Sequence, residues 1–124
     1  MQVLFVGHYA LLAGAVKRGL EDEGITVHLA ISDHEAESLI LQREYSIVVF
    51  DLRRSTKDIH LVKPWRSDHI KTPVLFLTDP SLDELPTNRS QGDGIGWIVK
   101  PFRFQQLLDR IYSLTSRQRL ASGN

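Results

Sequence analysis

The hydrophobic residues of this chain fall in short runs that are separated by polar stretches. Four runs contain no polar position, at residues 3–6, 47–50, 74–77 and 97–99. Strands without a polar face are covered on both sides, as in parallel sheets between two layers of helices. A fifth run, Thr26–Ala30, partly alternates and is typical of an edge strand. The pattern therefore predicts five strands of a parallel sheet.

Apolar residues at helical spacing lie between and after these runs. Leucine and valine recur every fourth residue over 12–20, and Gly24 follows where a helix often ends in a left-handed residue. Ser32 and Glu35 are spaced as a capping box at the start of a second helix. Phe104–Ile111 carries the stripe of an amphipathic last helix. This alternation predicts a doubly wound α/β fold with right-handed crossovers.

Three stretches depart from this regular pattern. Residues 57–69 should hold the third helix, but Pro64 favours a helix that begins near that residue. Residues 79–96 contain two prolines and three glycines, so we expect a short or irregular element there. The polar residues 116–124 are expected to form a frayed tail or the start of a linker, which gives one domain over 1–115.

Composition excludes several classes of function. The 124 residues include 15 basic and 15 acidic side chains, so bulk charge does not favour nucleic acid or an anionic membrane as partner. The absence of cysteine excludes disulfides, zinc-thiolate sites and thiol catalysis. No apolar run approaches the length of a membrane span, and the first residues do not resemble a signal peptide. We therefore expect a cytoplasmic protein.

Polar residues that could carry chemistry follow the predicted strands. Ligands of open parallel sheets bind beyond the carboxyl ends of the strands. Asp51, Thr78 and Lys100 each stand at such an end, so an acid, a hydroxyl and an amine converge on one edge. An ammonium can neutralise a phosphoryl group there, and a hydroxyl can donate to one of its oxygens. The edge is therefore a candidate site for phosphoryl transfer.

The three segments that end at these residues resemble signatures of a known family. Residues 48–52, 74–78 and 97–102 look like the three conserved segments of the receiver domains of two-component response regulators. Thr78 lies 27 residues after Asp51, and Lys100 lies 22 residues after Thr78, as in that family. The resemblance implies a flavodoxin-like sheet of five parallel strands in the order 2-1-3-4-5, flanked by helices. It also implies a cis peptide bond between Lys100 and Pro101.

The resemblance assigns a role to each residue of the candidate site. Asp51 would be the phosphoacceptor, Thr78 the switch hydroxyl, and Lys100 the ammonium that contacts the phosphoryl group. Trp97 falls where the family usually has a mobile aromatic switch residue. The backbone carbonyl of Arg53 falls where the family supplies a ligand to Mg²⁺, which Asp51 would also bind.

The chain departs from the family immediately after the first strand. Receiver domains usually have two acidic residues there that hold Mg²⁺, whereas this chain has Gly7 and His8. Glycine offers no ligand, and Mg²⁺ prefers oxygen to the nitrogen of histidine. We therefore expect Mg²⁺ binding to be weak or absent. We also expect His8 to point toward Asp51 and to replace part of the missing positive charge.

These observations favour a receiver domain in a phosphorelay, with Asp51 as phosphoacceptor and impaired Mg²⁺-dependent phosphorylation. The expected partner is a histidine kinase or another signalling protein, and a homodimer would use the Trp97 strand and the last helix. Catalysis would be limited to self-phosphorylation from a phosphodonor and autodephosphorylation. One alternative is a pseudo-receiver that signals by protein binding alone. A second is a small flavodoxin-like cofactor-binding protein, although the chain lacks a recognisable phosphate-binding loop.

Overall fold

The computed structural model describes residues 1–52, 72–79 and 94–122, with side chains up to Ser116. The predicted third helix, Arg53 and most of the 79–96 segment lie outside the described residues. Five strands and three helices are described: β1 Gln2–Val6, α1 Ala10–Asp22, β2 Thr26–Ala30, α2 Asp33–Gln42, β3 Ile47–Asp51, β4 Val74–Thr78, β5 Ile95–Val99 and α3 Phe104–Ser122.

The five strands form one parallel sheet in the order β2-β1-β3-β4-β5. The predicted fold class is therefore confirmed. All residues of β3 and β4 are buried, as expected for central strands without a polar face. The partly alternating β2 lies at one edge, and β5 lies at the other.

Two hydrophobic layers cover the two faces of the sheet. Successive side chains of a strand point to opposite faces, so Phe5 joins one layer and Leu4 the other. The first layer contains the buried residues of α1 and α3. The second layer contains Ala36 of α2 together with Phe50 and Phe76. The sheet is therefore flanked by helices on both faces.

The helix boundaries follow the local signals in the sequence. The Ser32 hydroxyl accepts a hydrogen bond from the Glu35 amide at 3.1 Å, which confirms the predicted cap of α2. Gly24 has a φ of 83° directly after α1, a conformation that favours glycine over residues with a Cβ. The peptide bond between Lys100 and Pro101 is cis, as the resemblance implied.

The last helix continues beyond the expected domain boundary. We expected a frayed tail or linker from Ser116, but the backbone of α3 stays helical to Ser122. Residues 117–121 are Arg, Gln, Arg, Leu and Ala, which all have good helix propensity, and no proline or glycine occurs before Gly123. Whether residues 116–124 act as a linker stays a prediction. None of the helices in the described residues has the length and apolar character needed to cross a membrane.

Glycines without a side chain allow α3 to pack closely. A Cβ on Gly19 of α1 would lie 2.5 Å from a ring carbon of Phe104. A Cβ on Gly96 of β5 would lie 2.9 Å from a methyl group of Leu114. Gly14, one turn before Gly19 on α1, has no neighbouring atom within 4 Å of the same position. Helix α3 therefore depends on missing side chains at Gly19 and Gly96.

Alanine substitutions at Gly19 and Gly14 should change stability in opposite directions. Gly19→Ala should lower the free energy of unfolding by about 1–3 kcal/mol, because the new methyl group overlaps the Phe104 ring. Gly14→Ala is the matched control in the same helix, and it should raise stability by about 0.5–1 kcal/mol. Urea unfolding followed by circular dichroism measures both. Equal stabilisation by the two substitutions would show that the Phe104 ring turns aside freely.

A buried tyrosine should make stability sensitive to alkaline pH. Burial raises the pKa of Tyr45, and the Arg43 charge offsets part of this effect. The Tyr45 hydroxyl is hydrogen-bonded to Nδ1 of His28 at 2.9 Å. Folding thus raises the pKa of Tyr45. The neutral phenol contributes its full stabilising free energy at pH values below the unfolded pKa of about 10, and this contribution is lost as the pH rises through the pKa of the folded state.

Tyr45→Phe should therefore flatten the fall of stability above about pH 10. Urea unfolding at several alkaline pH values measures the slope. Tyr112→Phe is the control, because Tyr112 is exposed on α3. If Tyr112→Phe changes this slope as much as Tyr45→Phe does, the assignment of the alkaline pH dependence to Tyr45 is contradicted.

Candidate functional site

The carboxyl ends of three neighbouring strands bring the predicted site residues to one edge of the sheet. Asp51 ends β3, Thr78 ends β4, and Lys100 follows β5. In the parallel register, Asp51 is paired with Leu77, and Thr78 is paired with Val99. The three residues therefore lie at the same level of the sheet, as the sequence predicted.

Backbone hydrogen bonds continue the sheet into this edge. The Lys100 amide donates to the Thr78 carbonyl at 2.7 Å, and the Leu52 amide donates to the Leu77 carbonyl at 2.9 Å. Both bonds lie at or just beyond the strand ends. They fix the backbone positions from which the side chains of Lys100 and Thr78 project.

Asp51 and Lys100 form an ion pair. The Lys100 ammonium contacts Oδ1 of Asp51, in agreement with the predicted convergence of the acid and the amine on one edge. Asp51 is only 3% exposed, whereas the Lys100 side chain is 26% exposed. A buried carboxylate needs a partner, because an isolated buried charge loses its hydration without compensation. Lys100 therefore supplies the counter-charge and reaches solvent from the pocket.

Thr78 presents a hydroxyl with unused hydrogen-bonding capacity. Its side chain is fully buried, and its Oγ1 has no hydrogen-bond partner in the described part of the chain. An unsatisfied buried hydroxyl costs about 1–3 kcal/mol. The Thr78 hydroxyl is thus available to a ligand that enters this edge of the sheet.

Trp97 lies in a row of aromatic rings that crosses three strands. Its ring is stacked on Phe76, with 4.6 Å between centroids and 27° between planes. Phe76 in turn lies 6.0 Å from the ring of Phe50, the residue before Asp51. The indole Nε1 is buried without a hydrogen-bond partner among the described residues. Trp97 is therefore packed against the second core layer, and its role as a switch stays a prediction.

The described oxygen ligands do not fit Mg²⁺. Mg²⁺ demands near-octahedral coordination by oxygen, and of the residues named for the metal only Asp51 offers a carboxylate. Gly7 has no side chain, and the Arg53 carbonyl lies outside the described residues. No group of three or more acidic or histidine side chains that could hold a metal occurs in residues 1–52, 72–79 and 94–116. The expectation of weak or absent Mg²⁺ binding stays a prediction.

His8, which we expected to point toward Asp51, lies in a bend just after β1 and is exposed. No ion pair joins it to Asp51. Gly7 is the residue that lies against Asp51, since a Cβ on Gly7 would be 3.2 Å from the Asp51 Cβ. A role for His8 in replacing the missing positive charge stays a prediction.

Sequence reasoning missed the role of Phe5 beside the site. A Cβ on Gly7 would lie 2.9 Å from the Phe5 ring and 3.2 Å from the Cβ of Asp51. Side chains two residues apart in a strand point to the same face. The sequence therefore already indicated that residues 5 and 7 lie on the same face. The distance between the Phe5 ring and Gly7 depends on a rotamer and on packing, which no pattern in one sequence specifies.

Comparisons with known proteins point to one family, although no family model matches the chain. The virulence transcriptional regulatory protein PhoP of Salmonella typhimurium is 31% identical over 120 residues, which cover 94% of this chain and 53% of that protein. The transcriptional regulatory protein DltR of Streptococcus agalactiae is 29% identical over 125 residues, which cover 100% of this chain and 56% of that protein. The chain thus spans about half the length of these curated relatives.

A solved structure matches over almost its whole length. The receiver domain of the Francisella response regulator 1452 superimposes with a TM-score of 0.79 and 29% identity, over 94% of this chain and 98% of that domain. The order of the strands in the sheet agrees with this likeness. The chain belongs to the receiver domains of two-component response regulators.

Proposed function

We propose that this domain accepts a phosphoryl group on Asp51 from the phosphohistidine of a histidine kinase. The observation that carries the proposal is the ion pair of a nearly buried carboxylate with Lys100 at the carboxyl edge of the sheet. Thr78 adds a buried hydroxyl without a partner in the described residues. The three groups are an acceptor, a counter-charge and a hydrogen-bond donor for a phosphoryl group.

The transfer forms one bond and breaks another. A carboxylate oxygen of Asp51 attacks phosphorus, and the P–N bond to the kinase imidazole breaks with its electron pair passing to nitrogen. The leaving imidazole nitrogen takes up a proton from solvent, so the products are an acyl phosphate on Asp51 and a neutral histidine on the kinase. Lys100 offsets the negative charge of the phosphoryl oxygens, and the Thr78 hydroxyl donates to one of them. A small phosphodonor replaces the kinase in self-phosphorylation, and attack by water reverses the modification.

The proposal includes weak dependence on Mg²⁺. Asp51 is the only carboxylate among the residues named for the metal, so the pocket gives a divalent cation little to bind. Lys100 then provides the positive charge that the reaction requires. A domain in which even this charge is insufficient would be a pseudo-receiver, which signals by protein binding alone.

The face formed by β5 and α3 favours a homodimer as the output. An open groove of about 540 Å³ lies there, lined by Trp97–Val99 and by Gln106, Asp109, Arg110 and Ser113. Val99 is 43% exposed on this face. In a two-fold dimer each patch meets its own copy, so Asp109 of one protomer can oppose Arg110 of its partner. Trp97 lines this groove and also belongs to the row of aromatic rings with Phe76 and Phe50. It would therefore couple phosphorylation of Asp51 to association through the face of β5 and α3.

Labelling with acetyl phosphate tests the phosphoacceptor. Intact-mass spectrometry should show one added phosphoryl group on the parent and none on Asp51→Asn. Asp22→Asn is the control, because Asp22 is an exposed acid at the end of α1, and it should label like the parent. Lys100→Ala should label more slowly, because the Asp51 carboxylate then repels the donor without a counter-charge.

The same assay measures the dependence on Mg²⁺. Adding Mg²⁺ or a chelator should change the labelling rate of the parent by less than about tenfold, which is about 1.4 kcal/mol in the barrier. A much larger acceleration would show an ordinary metal-dependent receiver. A parent that labels neither from acetyl phosphate nor from a histidine kinase would establish the pseudo-receiver instead.

A charged substitution on the β5–α3 face tests the proposed dimer. Val99→Glu should weaken self-association at least about tenfold in sedimentation equilibrium, because two carboxylates would be buried at the centre of the interface. Leu11→Glu is the control, since Leu11 is 74% exposed on α1. A parent that stays monomeric at high concentration, or equal effects of the two substitutions, would contradict this interface.

A further inference from the structure

We infer that Phe5 is a positioning residue that keeps an acidic side chain out of position 7 and holds Asp51 as the partner of Lys100 alone. The inference rests on the proposed function of Asp51 and explains its weak dependence on metal. The cause is packing. The pocket lacks an acidic side chain at position 7, and it also lacks the space for one.

The space beside Gly7 is already occupied. A Cβ on Gly7 would lie 2.9 Å from Cε1 of Phe5, 3.2 Å from Cβ of Asp51 and 3.6 Å from Oδ2 of Asp51. A separation below 3.0 Å between such carbons is repulsive, and the second distance is tighter than ordinary contact. Any side chain at position 7 must therefore displace the Phe5 ring or the Asp51 side chain.

Neither neighbour is free to move away. Phe5 is 1% exposed and belongs to the first core layer, so its ring can move only by displacing other core side chains. Asp51 is fixed by its place in β3 and by its ion pair with Lys100. Overpacking at such a position shifts the backbone or forces side chains from their rotamers.

The backbone of Gly7 is also held in place. Its amide donates to the Ala30 carbonyl at 2.9 Å and so extends the pairing of β1 with β2. Positive φ angles of described glycines occur at Gly24 and Gly94, so Gly7 does not serve a left-handed turn. Glycine is required at position 7 because the Phe5 ring and Asp51 fill the volume of a side chain.

The consequence is a pocket whose charge is balanced by lysine. Among the described residues, no group of acidic or histidine side chains beside Asp51 could hold a divalent cation. The Asp51 carboxylate and the Lys100 ammonium neutralise one another in place of a metal. An oxygen ligand at position 7 therefore needs two changes, one that adds the acidic side chain and one that removes the ring at position 5.

Stability measurements test the packing without any phosphorylation. Gly7→Ala should lower the melting temperature by at least about 5 °C, and Gly14→Ala, which adds the same methyl group in open space on α1, should not lower it. In Phe5→Leu/Gly7→Ala, the loss should be smaller than the sum of the two single losses, because leucine has no atom at the position of Cε1. A Gly7→Ala variant that fails to fold counts as the large loss expected. Additive losses, or a Gly7→Ala variant as stable as the parent, would overturn the inference.

Mg²⁺ binding distinguishes a positioning role of Phe5 from a role in stability alone. Isothermal titration calorimetry with MgCl₂ should show binding to Phe5→Leu/Gly7→Asp at least about tenfold tighter than to the parent, to Phe5→Leu or to Gly7→Asp. Equal Mg²⁺ binding by Gly7→Asp and the double variant would refute the role of Phe5. Failure of the parent to label at Asp51 would instead contradict the proposed function, while the packing measurements stand by themselves.

Discussion

The ion pair between Asp51 and Lys100 is the interaction on which the candidate site depends, and it exists only because three strands lie parallel in register. Asp51 ends β3 and Lys100 follows β5, with β4 between them. The hydrogen bond from the Lys100 amide to the Thr78 carbonyl holds the backbone of Lys100 beside the end of β4. A shift of one residue in β5 would turn every side chain to the other face and would separate the ammonium from the carboxylate.

The same ion pair limits what the pocket can bind. Removing one partner of a buried pair leaves an uncompensated charge, at a cost of up to about 3–5 kcal/mol when both groups are buried. Solvent reduces this cost here, because Lys100 is partly exposed. The pairing nevertheless gives Asp51 a permanent counter-charge on one side, and Phe5 and Gly7 close the other side sterically. Both features agree with a pocket that works with lysine rather than with a divalent cation.

The packing of α3 connects the site to a possible output surface. Gly96 on β5 leaves room for the Leu114 side chain of α3. On the same strand, Trp97 packs against the second core layer and also lines the groove beside α3. The aromatic row from Trp97 through Phe76 to Phe50 ends one residue before Asp51. The row of aromatic rings thus links β3, the strand that carries Asp51, to the face that we propose for dimerisation.

The pattern of apolar and polar residues alone predicts the strands, their alternation with helices and the edge where the acid, the hydroxyl and the amine meet. Fully apolar runs such as Ile47–Phe50 are typical of strands covered on both faces, and the partly alternating β2 is typical of an edge strand. The apolar run of β5 nevertheless lies at the other edge of the sheet. The spacing of Asp51, Thr78 and Lys100 supplied the family resemblance. Helix α3 passed its expected boundary because propensity continues it to Ser122. The exposed position of His8 and the Phe5 ring beside Gly7 are visible only in the folded structure, because they depend on side-chain rotamers and on packing against Asp51, which lies far away in the chain.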